Sequence, residues 1–102
     1  MSVLTITKNQ EESKLTVAVI GRVDTTTAPQ LDNEISQSLD GITELVLDFE
    51  QTEYVSSAGL RVLLALYKTM SAKQGKLVLC NVNHTIMDMF VATGLIDFFE
   101  IV

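Results

Sequence analysis

The sequence of 102 residues predicts a single α/β domain with a mixed, mostly parallel sheet, an N-terminal hairpin and about three packed helices. Two observations predict it. Two strand-like segments rich in β-branched residues are joined by a short polar turn, which indicates an antiparallel hairpin. Helical and strand-like segments then alternate, which indicates right-handed crossovers and parallel pairing. The predicted element order is β-β-α-β-α-β-α-β.

The hairpin is predicted from residues 3–7 and 15–20, with residues 10–13 as the turn. The first helix follows a break at residues 21–27. Thr27 and Gln30 have the spacing of a capping box, and Pro29 suits a first turn. The apolar stripe of this helix continues to about Leu39.

The middle of the chain predicts a buried strand at residues 45–49, a polar link at residues 50–53 and a helix from near Ala58 to about Ala72. The apolar residues of this helix recur at helical spacing but cover more than one face: Leu60, Val62, Leu63, Leu64, Ala65, Leu66, Tyr67 and Met70. The helix is therefore either well buried or partly in contact with a partner.

The last third predicts a strand at residues 76–80 and a short amphipathic helix capped by Asn83 and ended by Thr93 and Gly94. A closing strand is predicted at residues 98–102.

Charge and composition argue against several classes of partner and location. The formal net charge is −6, so an acidic surface makes nucleic acid and anionic membrane poor partners. No apolar run approaches the roughly 20 residues that span a bilayer, and the N-terminus lacks the pattern of a signal peptide. The single cysteine, Cys80, fits a reducing, cytoplasmic location.

A catalytic or metal site is not predicted. Residues 55–59 approach the nucleophile elbow of hydrolases, but Val55 replaces its first glycine. His84 is the only available histidine base, with Asp88 four residues later. One cysteine and one histidine are too few for a structural zinc site, and no glycine-rich phosphate loop is present. We therefore expect a protein without enzymatic activity, metal or cofactor.

The turn before the central helix is the candidate functional site. A serine at this place is commonly an N-cap, which is one interpretation of Ser57. The other is a phosphorylation site, because a helix N-terminus tolerates added negative charge. Asp24 and Thr25 follow the second strand, either as ordinary turn residues or as a second loop of the same site. Loops at the carboxyl ends of strands gather at one sheet edge, so we expect the two segments to be neighbours.

Residues 54–64, with Ser56, Ser57, Gly59 and Leu60 at their centre, resemble the signature of the anti-sigma factor antagonists, which are small bacterial STAS domains. Residues 21–31, 45–49 and 90–95 resemble further parts of that family. The likeness extends over nearly the whole chain, so residues 1–102 are interpreted as one STAS domain.

The resemblance implies partner switching. The unmodified protein would bind an anti-sigma factor that is also a serine kinase, and this binding would release the sigma factor. Phosphorylation at Ser57 would abolish binding, and a PP2C-type phosphatase would restore it. Many members carry an acidic residue where this chain has Ser56, so Ser56 stays the second candidate for modification. The residues implied in partner binding are Asp24, Thr25, Ser56, Ser57, Ala58, Gly59 and Arg61. The alternative is a STAS scaffold or ligand-sensing module of another signalling assembly.

Overall fold

The computed structural model describes residues 4–102, and Val3, predicted as the start of the first strand, lies outside them. The elements are β1 (Leu4–Glu11), β2 (Lys14–Val23), α1 (Ala28–Ser36), β3 (Glu44–Asp48), β4 (Thr52–Val55), α2 (Ser57–Ala72), β5 (Lys76–Cys80), α3 (His84–Thr93), a 3-10 turn (Leu95–Asp97) and β6 (Glu100–Ile101). The mixed α/β architecture with its three helices is confirmed.

One sheet holds the strands in the order β1-β2-β3-β5-β6, with β4 placed beside the end of β2. The β1–β2 hairpin is antiparallel, as predicted, and every other strand pairing is parallel. β2 pairs along residues 14–18 with β3 and along residues 21–23 with β4. The long strand β2 is therefore shared by two successive neighbours.

Strand β4 differs from the prediction, which has a polar link at residues 50–53. Its four residues mix buried and exposed positions without a regular apolar pattern. The buried Thr52 is accommodated because its hydroxyl donates to the carbonyl of Val19 at 2.6 Å. The observed element order thus has one more strand between the first two helices.

Two further boundaries differ from prediction. Helix α1 ends at Ser36 rather than near Leu39, although Leu39 is still buried in the core. The predicted capping box at Thr27 is wrong. No side-chain cap hydrogen bond forms there, and the Gln30 side-chain amide donates to the carbonyl of Leu4 instead. The closing strand is shorter than residues 98–102, since a 3-10 turn precedes it.

The core lies between the helices and one face of the sheet. On β2, Leu15, Val17 and Val19 are 2% exposed or less, whereas the alternate residues are partly exposed. The buried side chains of all three helices join the same core cluster. The protein is only 20 Å across its shortest axis, which suits two layers.

Helix α2 contributes more buried residues to the core than α1 or α3. Leu60, Leu63, Leu66 and Met70 are 5% exposed or less. Tyr67 is partly exposed and packs edge-on against Phe98 and Phe99, with ring centroids 5.9 and 6.2 Å away. The broad apolar surface that the sequence indicated is thus largely accounted for by contacts within the chain.

Candidate functional site

The candidate site forms where β2 and β4 end together. Val23 and Val55 are paired in the parallel ladder, and the backbone N–H of Ser56 donates to the carbonyl of Val23 at 2.8 Å. The segment after β2 therefore lies beside the turn that opens α2. The predicted proximity of the Asp24 segment and the Ser57 turn is confirmed.

The Asp24 segment is a hydrogen-bonded turn. One Asp24 carboxylate oxygen accepts from the backbone N–H groups of Thr26 and Thr27, at 2.9 and 3.1 Å. The Thr27 hydroxyl donates to the carbonyl of Arg22 at 2.8 Å and accepts from the N–H of Asp24 at 2.9 Å. Asp24 thus has the structural role of a turn residue, while Thr25 is exposed beside it.

Helix α2 starts one residue earlier than predicted, and its N-cap is Ser56 rather than Ser57. Ser56 has extended backbone angles, its hydroxyl accepts from the N–H of Gly59 at 3.4 Å, and its carbonyl accepts from the N–H of Leu60 at 2.9 Å. Ser57 is the first helical residue and its side chain is exposed. Among the hydrogen bonds of residues 4–102, none in this turn uses the Ser57 hydroxyl.

Gly59 sets how closely the helix start approaches the sheet. A Cβ atom at this position would lie 2.7 Å from Val23 Cγ1 and 2.8 Å from Val55 Cγ1, well inside van der Waals contact. Gly59 is buried and Ala58 partly exposed. The glycine lets α2 rest directly on the ends of β2 and β4, which fixes the position of Ser57 relative to the Asp24 turn.

Two arginines flank this turn. The Arg22 guanidinium lies over the ring of Tyr54, with its carbon 4.5 Å from the ring centroid, a cation–π arrangement. Arg61 is exposed, four residues after Ser57 on α2. Arg61 is among the site residues predicted from the sequence, whereas Arg22 and Tyr54 are not, because their contact depends on the unpredicted strand β4. Their only signal in the sequence was the position of each near the end of a strand.

The other reactive side chains lie elsewhere. His84 is the exposed first residue of α3, and Asp88 is exposed one turn later. Cys80 is partly exposed at the end of β5; burial, followed by the charges of Asp48 and Glu50, raises the pKa of its thiol, and Lys14 opposes the increase.

Residues 4–102 enclose no pocket. Over the same range, no three His, Cys, Asp or Glu side chains converge as metal ligands. No helix in this part of the chain combines the length and hydrophobicity needed to cross a membrane.

The mixed sheet, its three helices and the exposed serine at the start of α2 define a small α/β domain, and the chain belongs to the STAS domain family, whose model matches residues 5–102. Its relatives include BtrV of Bordetella bronchiseptica, named as a candidate anti-sigma factor antagonist. The two chains are 33% identical over 97 residues, which cover 94% of this chain and 84% of BtrV. The anti-sigma-B factor antagonist of Listeria monocytogenes is 31% identical over 96 residues, 92% of this chain and 83% of the relative.

Solved structures agree with this placement. An anti-sigma factor antagonist from Mycobacterium paratuberculosis superposes with a TM-score of 0.86 at 26% identity, over 97% of this chain and 85% of the other. SpoIIAA of Bacillus in its phosphorylated form shares the fold, with a TM-score of 0.76 at 19% identity over 96% of this chain and 91% of the other. The predicted resemblance to STAS-domain anti-sigma factor antagonists is confirmed.

Proposed function

We propose that this chain is a phosphorylation-controlled anti-sigma factor antagonist. In its unmodified form it binds an anti-sigma factor that is also a serine kinase, and this binding releases the sigma factor. It acts in the cytoplasm by binding rather than by catalysis, without a cofactor and without nucleic acid or membrane as a partner. The names of the relatives support the antagonist role, and the geometry of the α2 start supports the control.

The observation that carries the proposal is the exposed Ser57 hydroxyl at the first position of α2. Ser56 accepts from the helix backbone as the N-cap and is partly exposed, so Ser57 is the better acceptor of a phosphoryl group. The bound kinase transfers the γ-phosphoryl group of ATP to Ser57 Oγ. The new O–P bond replaces the bond to ADP, and the hydroxyl proton passes to a base of the kinase. A PP2C-type phosphatase removes the phosphate by hydrolysis.

The phosphate inhibits binding without unfolding the domain. It adds about −1.5 to −2 charges at neutral pH at a helix end whose partial charge is positive. The fold therefore tolerates it. A partner docked over Asp24, Thr25, Ser56, Ser57, Ala58 and Arg61 meets a bulky dianion in the middle of its contact surface. Gly59, implied in partner binding by the family resemblance, is buried against the two valines and supports this surface from below.

The test begins with capture of bound proteins from the source organism on the purified chain, followed by binding measurements with the purified kinase. We expect Ser57→Ala to bind and to take up no phosphate, and Ser57→Asp to bind at least tenfold more weakly. Ser13→Asp is the matched control, because Ser13 is an exposed residue of the β1–β2 turn at the other end of β2.

Two results would reject the proposal. One is a Ser57→Asp variant that binds the kinase as tightly as the parent. The other is a parent chain that takes up no phosphate from kinase and ATP while it still binds a partner that is not a kinase, which would favour the scaffold alternative.

A further inference from the structure

The two arginines of the sequence, Arg22 and Arg61, both lie next to the Ser57 turn. The remaining cationic side chains are lysines in a chain whose net charge is −6. Both arginines are exposed. Guanidinium groups bind carboxylates and phosphates through paired hydrogen bonds that an ammonium group does not offer. The sheet edge that carries the proposed switch therefore also carries both guanidinium groups, which can bind an anionic group.

The two arginines differ in their attachment. Arg22 packs its guanidinium on the Tyr54 ring, and its carbonyl accepts the hydroxyl of Thr27, so both ends of the residue are held. Arg61 projects from α2, a continuous helix from Ser57 to Ala72. Only Arg61 stands on the same helix as the modified residue.

The spacing between Ser57 and Arg61 favours a direct pair. Residues four apart on a helix lie on the same face, with roughly 5–6 Å between their Cβ atoms, and an anion placed N-terminal to a cation is the more stable orientation. A phosphate on Ser57 would meet this arrangement as the N-terminal anion. The other charged residues around the turn are Asp24, whose carboxylate accepts from the turn backbone, Arg22, and Glu53 on β4.

We propose that Arg61 binds the Ser57 phosphate within the chain, and that in the unmodified protein the same guanidinium binds a carboxylate of the kinase partner. Phosphorylation then acts twice: the phosphate occupies the contact surface, and it also withdraws the cation that attracted the partner. This inference rests on the proposed function, but its first test needs neither the kinase nor the sigma factor.

The first test places phosphoserine at position 57 during translation, by expansion of the genetic code, and follows the phosphate by ³¹P NMR as pH is varied around its second ionisation, near pH 6. Arg61 stabilises the dianion, so Arg61→Gln should raise the phosphate pKa and lower its second ionisation constant by up to about twofold. Lys68→Gln is the matched control, since it removes one exposed cation from the same helix two turns further on.

The comparison among variants decides the assignment. We expect Lys68→Gln and Arg22→Gln to titrate like the parent phosphoprotein. An Arg61→Gln phosphoprotein that titrates like the parent, or a Lys68→Gln shift of equal size, would overturn the pairing. A shift found only in Arg22→Gln would transfer the role to Arg22 and would equally overturn it.

The second test addresses the unmodified protein. Arg61→Gln should weaken binding to the captured, purified kinase by about tenfold, and raised salt should reduce the difference between variant and parent. Unchanged affinity would overturn the partner half of the inference. If the kinase never modifies Ser57, the proposed function fails, whereas the ³¹P titration still reports on Arg61.

Discussion

Gly59→Ala tests the close approach of α2 to the sheet. The added methyl group would start 2.7 Å from Val23 Cγ1 and 2.8 Å from Val55 Cγ1. Both valines are 1% exposed and lie in paired strands, so neither can move aside without shifting the backbone around it. The helix start must then move away from the sheet, and Ser57 must move with it.

The expected change in the free energy of unfolding of Gly59→Ala is the sum of two opposing terms. Overpacking of a filled core costs about 1–3 kcal/mol. Replacing glycine with alanine inside a helix contributes about 1 kcal/mol in the opposite direction. We therefore expect the free energy of unfolding to fall by up to about 2 kcal/mol, which lowers the melting temperature by up to about 10 °C for a domain of this size.

Urea denaturation of the parent and four variants measures both terms. Ala65→Gly, at an exposed position of the same helix, isolates the helix-propensity term. Val23→Ala removes the atom nearest to the new methyl group, so the double variant Gly59→Ala with Val23→Ala should be more stable than the sum of the two single effects by at least about 0.5 kcal/mol. A Gly59→Ala protein more stable than the parent by the full helix-propensity term, or strictly additive effects, would refute the contact.

Three more predictions concern groups around the site and the sheet. Thr27→Val should lower the unfolding free energy by about 1–3 kcal/mol, because two backbone groups of the turn lose their hydroxyl partner, while exposed Thr26→Val should change it by less than about 0.5 kcal/mol. Asn83→Ala should lower the free energy of unfolding by about 1 kcal/mol, since the side chain caps α3 and also donates to a carbonyl of β4. An unchanged midpoint in urea denaturation would contradict this. Cys80 should react with iodoacetamide more slowly than a free thiol at mildly alkaline pH, because its raised pKa leaves less thiolate. Asp48→Asn should lower the pKa of Cys80 and speed the reaction. An Asp48→Asn variant that reacts more slowly than the parent would contradict the direction we assign to the Asp48 charge.

The parts of the fold that follow a strong local pattern could be predicted from the sequence. The hairpin, β3, β5 and the three helices have regular apolar spacing, and their pairing follows from connection rules. β4 could not be predicted in this way, because its identity depends on pairing with a distant part of β2 rather than on its own four residues.

In the candidate site, too, some features could be predicted from the sequence and others depend on long-range contacts. Adjacency of the Asp24 turn and the Ser57 turn followed from the rule for strand ends, although the strand that delivers Ser57 is β4 rather than β3. The choice between Ser56 and Ser57 as N-cap could not be made locally, since both are serines. The N–H of Ser56 bonds to β2, and this long-range contact holds Ser56 in the extended conformation that a cap requires.

The hydrogen-bonded turn from Asp24 to Thr27 has a consequence for recognition. Its backbone is held in one conformation by hydrogen bonds within the chain, so in the complex that we propose a binding protein would spend little conformational entropy on ordering this segment. Association of this kind resembles docking to a rigid template, in which affinity depends on the few side chains that point outward.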